Sequence, residues 1–190
     1  MKEYRVTLDK SGLNRDFVFI GGPLDANDGS PELYTAIGTV SAQWARLEQH
    51  IDAVLLHINN PDHSREIFDP KHPVSFSRKI FLIKRWFNQH PALSQMTDDM
   101  RTLTSKLKEI NTHRQNLIHG VLEQWDTEKQ SAVFRTLKYI GDDEFVLSTH
   151  TYTMEAIRDV ADIVSSSNRF LANISRTIFT LDALERLRKP

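Results

Sequence analysis

From Leu33 to Ile58 the large apolar residues recur at steps of four and three, through Ile37, Val40, Trp44, Leu47, Ile51 and Val54. That period puts them on one stripe of an α-helix, and a helix with a single apolar stripe must bury it against a partner. The same alternation runs from Met96 through Met100, Leu103, Leu107 and Ile110 to Leu117 and Val121. It returns from Ile157 through Val160, Val164, Leu171, Ile174 and Ile178 to Leu181 and Leu184. A shorter segment carries Phe76, Ile80, Ile83 and Phe87 inward, with Arg78, Lys79, Lys84 and Arg85 at its edges. Four stripes of this kind predict a four-helix bundle.

Punctuation sets the boundaries. The first helix ends near Asn59-Asn60-Pro61, because proline cannot continue the ladder and disfavours helix at the residue before it. A loop through Asp69-Pro70 and His72-Pro73 follows, and Ser75 or Ser77 caps the second helix, which runs to Asn88. Pro91 separates it from the third, which begins by Thr97 with Asp98 and Asp99 in its first turn, where the helix dipole favours them. Gly120 is the expected stop, as a residue able to take the left-handed conformation of many helix ends.

Beyond Gly120 the period falls to two. Val121 to Trp125, Ala132 to Tyr139 and Phe145 to His150 alternate, separated by Asp126-Thr127-Glu128-Lys129 and Gly141-Asp142-Asp143. This predicts a small three-stranded antiparallel meander before a long C-terminal helix. Residues 1–30 read as an irregular N-terminal arm, with short strands at Tyr4 to Leu8 and Phe17 to Ile20 and turn chemistry from Gly21 to Gly29. The expected organisation is one mainly α domain over 1–190, with a helical core over 33–119, the meander over 120–151 and the last helix over 153–187.

At 190 residues the chain is long enough to bury a real core. Its net charge of −1 advertises neither nucleic acid nor an anionic membrane. The absence of cysteine excludes disulfides, thiolate metal sites and a cysteine nucleophile. No stretch approaches the ~20 apolar residues of a membrane span, so a cytoplasmic protein without membrane contact is expected. His50 and His57 lie two turns apart and His63 and His72 fall in a loop, without the spacing of a zinc site; neither a metal nor a cofactor is expected.

Arg114 interrupts the third stripe at a position where the period calls for an apolar side chain. An arginine keeps its charge, and desolvating an unpaired cation costs several kcal/mol or more, so the position demands partners. His119 follows with four residues between, in the last turn of the same helix. The two residue types suit the cleavage of RNA by its own ribose hydroxyl. Imidazole can take the 2′-hydroxyl proton, and guanidinium can bind two phosphate oxygens as charge gathers there, without a metal. At ~100° per residue the two diverge by ~140°, whereas Asn111, Gln115 and His119 share a stripe. Convergence therefore calls for an unwound last turn or for two copies of the helix. A purely structural alternative pairs Arg114 with Glu48, which flanks the seam of the first helix, and leaves His119 as a helix-end cap.

An arginine, four residues and a histidine near the end of a bundle helix is similar to the signature of the HEPN superfamily, small all-α domains many of whose members are metal-independent ribonucleases. The glycine and strands that follow, and Trp44-Ala45-Arg46-Leu47-Glu48 on the first helix, also resemble bacterial HEPN-like proteins, over about residues 33 to 187. The resemblance implies a homodimer whose motif helices meet across a two-fold axis, with Arg114 and His119 catalytic and RNA as substrate. It also implies a role in toxin–antitoxin or phage-defence biology, with an antitoxin or regulatory protein as partner. The polar residue that usually follows the arginine is here Gln115, with Asn116 beside it; these two amides and Glu48 are the supporting or substrate-binding candidates. A competing expectation is a non-catalytic dimeric module that binds a nucleotide, nucleic acid or protein.

Overall fold

The computed structural model describes residues 2–7, 30–58, 73, 75–89, 93, 96–141 and 144–188. Among the described residues the fold is mainly helical, with four helices and a small antiparallel sheet. In chain order the elements are β1 (Lys2–Thr7), α1 (Pro31–Ile58), α2 (Phe76–Gln89), α3 (Thr97–His119), β2 (Val121–Asp126), β3 (Ser131–Gly141), β4 (Glu144–Thr153) and α4 (Met154–Arg188). No helix among the described residues is long and apolar enough to cross a membrane. The expected strand at Phe17 to Ile20, the turn at Gly21 to Gly29 and the loop after Ile58, apart from Pro73, lie outside the described residues.

The chain divides into two compact units: Met1–Ser41 with Thr112–Ala161, and Ala42–Asn111 with Asp162–Pro190. Three of the helices, α1, α3 and α4, contribute residues to both.

The first unit holds the sheet, whose order is β1-β4-β3-β2. The expected three-stranded meander is present as β2, β3 and β4, but the sheet has a fourth strand. Lys2–Thr7 pairs antiparallel with β4, from Lys2 opposite Thr149 to Thr7 opposite Glu144. The short strand expected at Tyr4 to Leu8 is therefore present as β1, two residues earlier at its start; its place in the sheet beside β4 is what the alternation of Tyr4 and Val6 does not reveal.

Side chains alternate across the sheet as the strand period requires. Leu122, Ala132, Phe134, Ser148 and Tyr152 are buried. Leu122 stands opposite Phe134 and Ala132 opposite Tyr152 in the register. The pairing of β2 with β3 shifts between Leu122 and Gln124, which gives Glu123 the place of the extra residue, and its carboxylate meets Arg135 across the strands. The β2–β3 turn is tied by Asp126, whose Oδ1 accepts the backbone N–H groups of Glu128 at 3.1 Å and Lys129 at 3.0 Å. The Lys129 ammonium adds a third bond to Oδ2 at 2.8 Å, and these bonds hold the Asp126 carboxyl below its ordinary range.

Both caps in this unit are hydroxyl groups satisfying an orphan N–H at the third helical position. Ser30 Oγ accepts from Leu33 at 3.1 Å ahead of Pro31, whose fixed φ suits the first helical place. Thr153 Oγ1 accepts from Ala156 at 3.1 Å, so the last residue of β4 is also the cap of α4.

The second unit holds the whole of α2 and parts of α1, α3 and α4. Trp44, Leu47, Ile51 and Val54 of α1 are buried, as are Ile80, Ile83 and Phe87 of α2, Met100, Leu103, Leu107 and Ile110 of α3, and Val164, Leu171, Ile174 and Ile178 of α4. These are the stripe positions of the apolar period. Ser75 is the cap of α2: its carbonyl accepts from Lys79 at 3.0 Å and its Oγ from Arg78 at 3.4 Å. Lys79 is not an edge residue, as its spacing suggests; it is 8% exposed and its ammonium lies 2.7 and 2.8 Å from the two oxygens of Asp52 on α1. Asn168 is also buried, and its amide donates to the Gln43 carbonyl at 2.9 Å, tying α4 to α1.

Candidate active site at the end of the third helix

Helix α3 runs regularly to His119, and the junction with β2 is a single residue, Gly120. The Gly120 N–H still donates to the Asn116 carbonyl at 3.1 Å, which continues the helical pattern one step past the last helical residue. Gly120 does not adopt the expected left-handed conformation. Space demands glycine here instead. A Cβ on Gly120 would stand 2.2 Å from the Asn116 carbonyl oxygen and 3.2 Å from Cβ of Phe134. The strand thus starts with its backbone pressed against the last turn of the helix.

Arg114 is half-buried and His119 exposed on this segment. Their side chains meet within one protomer, with Nη1 of Arg114 3.1 Å from Nε2 of His119. The expectation that a regular helix keeps them apart is corrected by side-chain reach. Arginine carries its guanidinium on a long flexible stem, which spans the axial rise of five residues, ~7.5 Å, and closes on His119 in the last turn. An arginine nitrogen only donates, so this contact requires Nε2 to carry no hydrogen and leaves any ring proton on Nδ1. Nε2 is then the acceptor of this hydrogen bond.

The supporting candidates separate. Gln115 is exposed next to the pair. Asn116 faces inward at 9% exposure and donates from Nδ2 to the Tyr152 hydroxyl at 3.1 Å, so its amide is committed to the fold. Glu48 belongs to the other unit, half-buried on α1.

Two residues that the sequence reading did not single out complete the arrangement. His113 Nδ1 lies 3.1 Å from the same Tyr152 hydroxyl, and the two rings meet edge to face with centroids 5.8 Å apart. The Tyr152 oxygen accepts from Asn116, which frees its own hydrogen for His113. Burial pushes the Tyr152 phenol up from its ordinary range, against the hydrogen bond from Asn116, which lowers it. The signal for Tyr152 was the alternation of β4: continued two residues past His150, it places Tyr152 on the face that buries Ser148. The signal for His113 was its place one turn before Asn116.

Among the described residues no group of three histidine, aspartate or glutamate side chains is placed to hold a metal ion. A cleft of about 480 Å³ lies in the second unit, lined by Leu103, Lys106, Asp162, Ile163 and Phe170 among others, and none of the residues named above for catalysis or support lines it. No family model, no curated protein and no solved structure matches this chain.

Proposed function

We propose that this chain is an HEPN-like, metal-independent endoribonuclease that cleaves RNA by attack of the ribose 2′-hydroxyl on the adjacent phosphate. The observation that supports it is the 3.1 Å approach of Arg114 Nη1 to His119 Nε2 at the exposed end of α3. A proton acceptor and a planar, permanently charged phosphate ligand stand side by side, which are the two groups that this reaction asks for.

In this reading an RNA phosphate draws the Arg114 guanidinium from Nε2 onto its non-bridging oxygens. Nε2, released, takes the proton of the 2′-hydroxyl as that oxygen bonds to phosphorus. The bond to the 5′-oxygen breaks with its electron pair, and the leaving oxygen takes a proton from the imidazolium or from water. The products are a 2′,3′-cyclic phosphate and a free 5′-hydroxyl. Gln115, exposed beside the pair, is the amide placed to contact the substrate.

The wider reading follows the resemblance: one HEPN-like domain spanning both units, its helices in a four-helix bundle, acting as a homodimer in toxin–antitoxin or phage-defence biology under an antitoxin or regulatory protein. The pair forms inside one protomer, so dimerisation here adds a second copy of the site and is not needed to assemble the first.

The test is incubation of the purified chain with unstructured RNA in EDTA. Cleavage giving 2′,3′-cyclic ends, abolished by Arg114→Ala and by His119→Ala with unchanged thermal melts, is the expected result. Absence of cleavage by the parent, or cleavage that survives both substitutions, overturns the proposal.

A further inference from the structure

The exposed face of α2 differs in charge from the rest of the chain. Its fourteen residues, Phe76–Gln89, include four cations and no carboxylate, in a protein whose formal net charge is −1. Lys79 is consumed by Asp52. Arg78, Lys84 and Arg85 are exposed, and Lys84 and Arg85 make no ion pair among the described residues. At ~100° per residue, Ser77, Arg78, Phe81, Lys84, Arg85, Asn88 and Gln89 fall within an arc of ~140°. The other side of the helix, with Ile80, Leu82, Ile83, Trp86 and Phe87, is buried.

Phe81 lies in the middle of this arc and is 51% exposed. The Arg78 guanidinium stands over its ring, 5.3 Å from the centroid. An aromatic side chain left half exposed among cations gains only part of what its burial would give. It does offer a flat π surface within reach of three positive charges, all on a helix whose apolar side is already spent on the core.

We infer that this face of α2 binds single-stranded nucleic acid, with Arg78, Lys84 and Arg85 along the phosphates and Phe81 as a platform for a base. Cations tracking a backbone beside an aromatic ring that stacks on any base form the general device for sequence-tolerant binding of single strands. An anionic bilayer is a poorer occupant, because insertion needs a continuous apolar face and α2 leaves one exposed aromatic ring. The inference does not depend on Arg114 and His119, and either reading stands if the other fails.

The experiment uses the full chain and a fluorescent 2′-O-methyl oligouridine of about 20 nucleotides, longer than the footprint of typical single-strand sites. This probe lacks the nucleophilic hydroxyl, so binding is read without cleavage. Fluorescence anisotropy over a salt series should give saturable binding whose affinity falls steeply with salt. Combined replacement of Arg78, Lys84 and Arg85 by alanine should weaken it by at least about tenfold and reduce the logarithmic salt slope by about two, at roughly 0.7 per phosphate contact. Phe81→Ala should weaken binding by roughly fivefold or more and leave the slope nearly unchanged, as loss of stacking does. Should the triple variant melt early, Lys84→Ala alone carries the test, with a slope change of about 0.7. The inference is overturned if the parent does not bind the oligomer, if the charge variants keep its affinity and slope, or if polyglutamate or phosphatidylserine vesicles compete as well as the oligomer does.

Discussion

Tyr152, on the last inward position of β4, accepts a hydrogen bond at 3.1 Å from Nδ2 of Asn116, one helical turn before His119. A strand thereby fixes the turn of α3 from which the candidate base projects. Asn116 serves the same junction twice, since its carbonyl accepts the Gly120 N–H at 3.1 Å.

Tyr152→Phe removes the acceptor and keeps the ring. Asn116 Nδ2 is then a buried donor without its partner, which costs about 1–3 kcal/mol. Urea denaturation of the purified variant should show that loss as a lower midpoint at unchanged slope. If the proposed ribonuclease activity is present, the variant should lose turnover while affinity for the uncleavable oligomer is unchanged, because α2 is untouched. A midpoint equal to that of the parent would show that the hydroxyl does not hold the junction.

The same phenol gives the fold a pH dependence at the alkaline end. Its folded pKa is raised by burial above the ordinary value of 10.0. The folded state therefore holds the proton more tightly than the unfolded chain does. This contribution to stability is fully present below pH ~10 and is lost as pH rises through the folded pKa. Absorbance at the tyrosinate band should show one phenol ionising later than the ordinary tyrosines, coincident with loss of structure. That late step should vanish in Tyr152→Phe.

Gly120 yields a prediction opposite to the usual one for a helix-ending glycine. At a left-handed stop asparagine is the best replacement, because its side chain tolerates that conformation. Here the obstacle is contact, with a Cβ forced to 2.2 Å from the Asn116 carbonyl oxygen. Gly120→Ala and Gly120→Asn should both destabilise, by about 1–3 kcal/mol as overpacked substitutions do, with asparagine no better than alanine. Thermal melts of the two variants decide it; an asparagine variant close to the parent would restore the left-handed account.

Much of this architecture was legible because two periods are hard to mistake. Steps of four and three named most of the buried apolar residues of α1, α3 and α4, though not Leu55, and alternation named β2, β3 and β4. Tyr4 and Val6 show what a short pattern lacks: it marks a strand and not its partner, and the pairing of Val6 with Phe145 joins residues remote in sequence. The site was legible as a pair of residues but not as a geometry. Angular separation on a helical wheel ignores the length of an arginine stem, and this one length brings Arg114 to His119. For Tyr152 the alternation of β4 gives the inward face but not the partner, since nothing local to β4 says which helix turn its hydroxyl will meet.

Lys79 and Asp52 show the same limit in the second unit and supply the remaining prediction. The side chains are 10% and 34% exposed, so the lysine is desolvated while the aspartate keeps part of its water. Removing the cation leaves a carboxylate that can partly rehydrate; removing the carboxylate strands a buried ammonium. Lys79→Met should therefore cost less than the 3–5 kcal/mol of a fully buried broken pair, about 1–3 kcal/mol, and Asp52→Leu should cost more than Lys79→Met. The double substitution replaces both charges by apolar side chains of similar length and should recover most of the loss, since a buried pair seldom outweighs good packing. Denaturant midpoints for the three variants close a double-mutant cycle. A double variant as unstable as the sum of the singles would mean that Lys79 and Asp52 act separately, each through contacts other than the one they share.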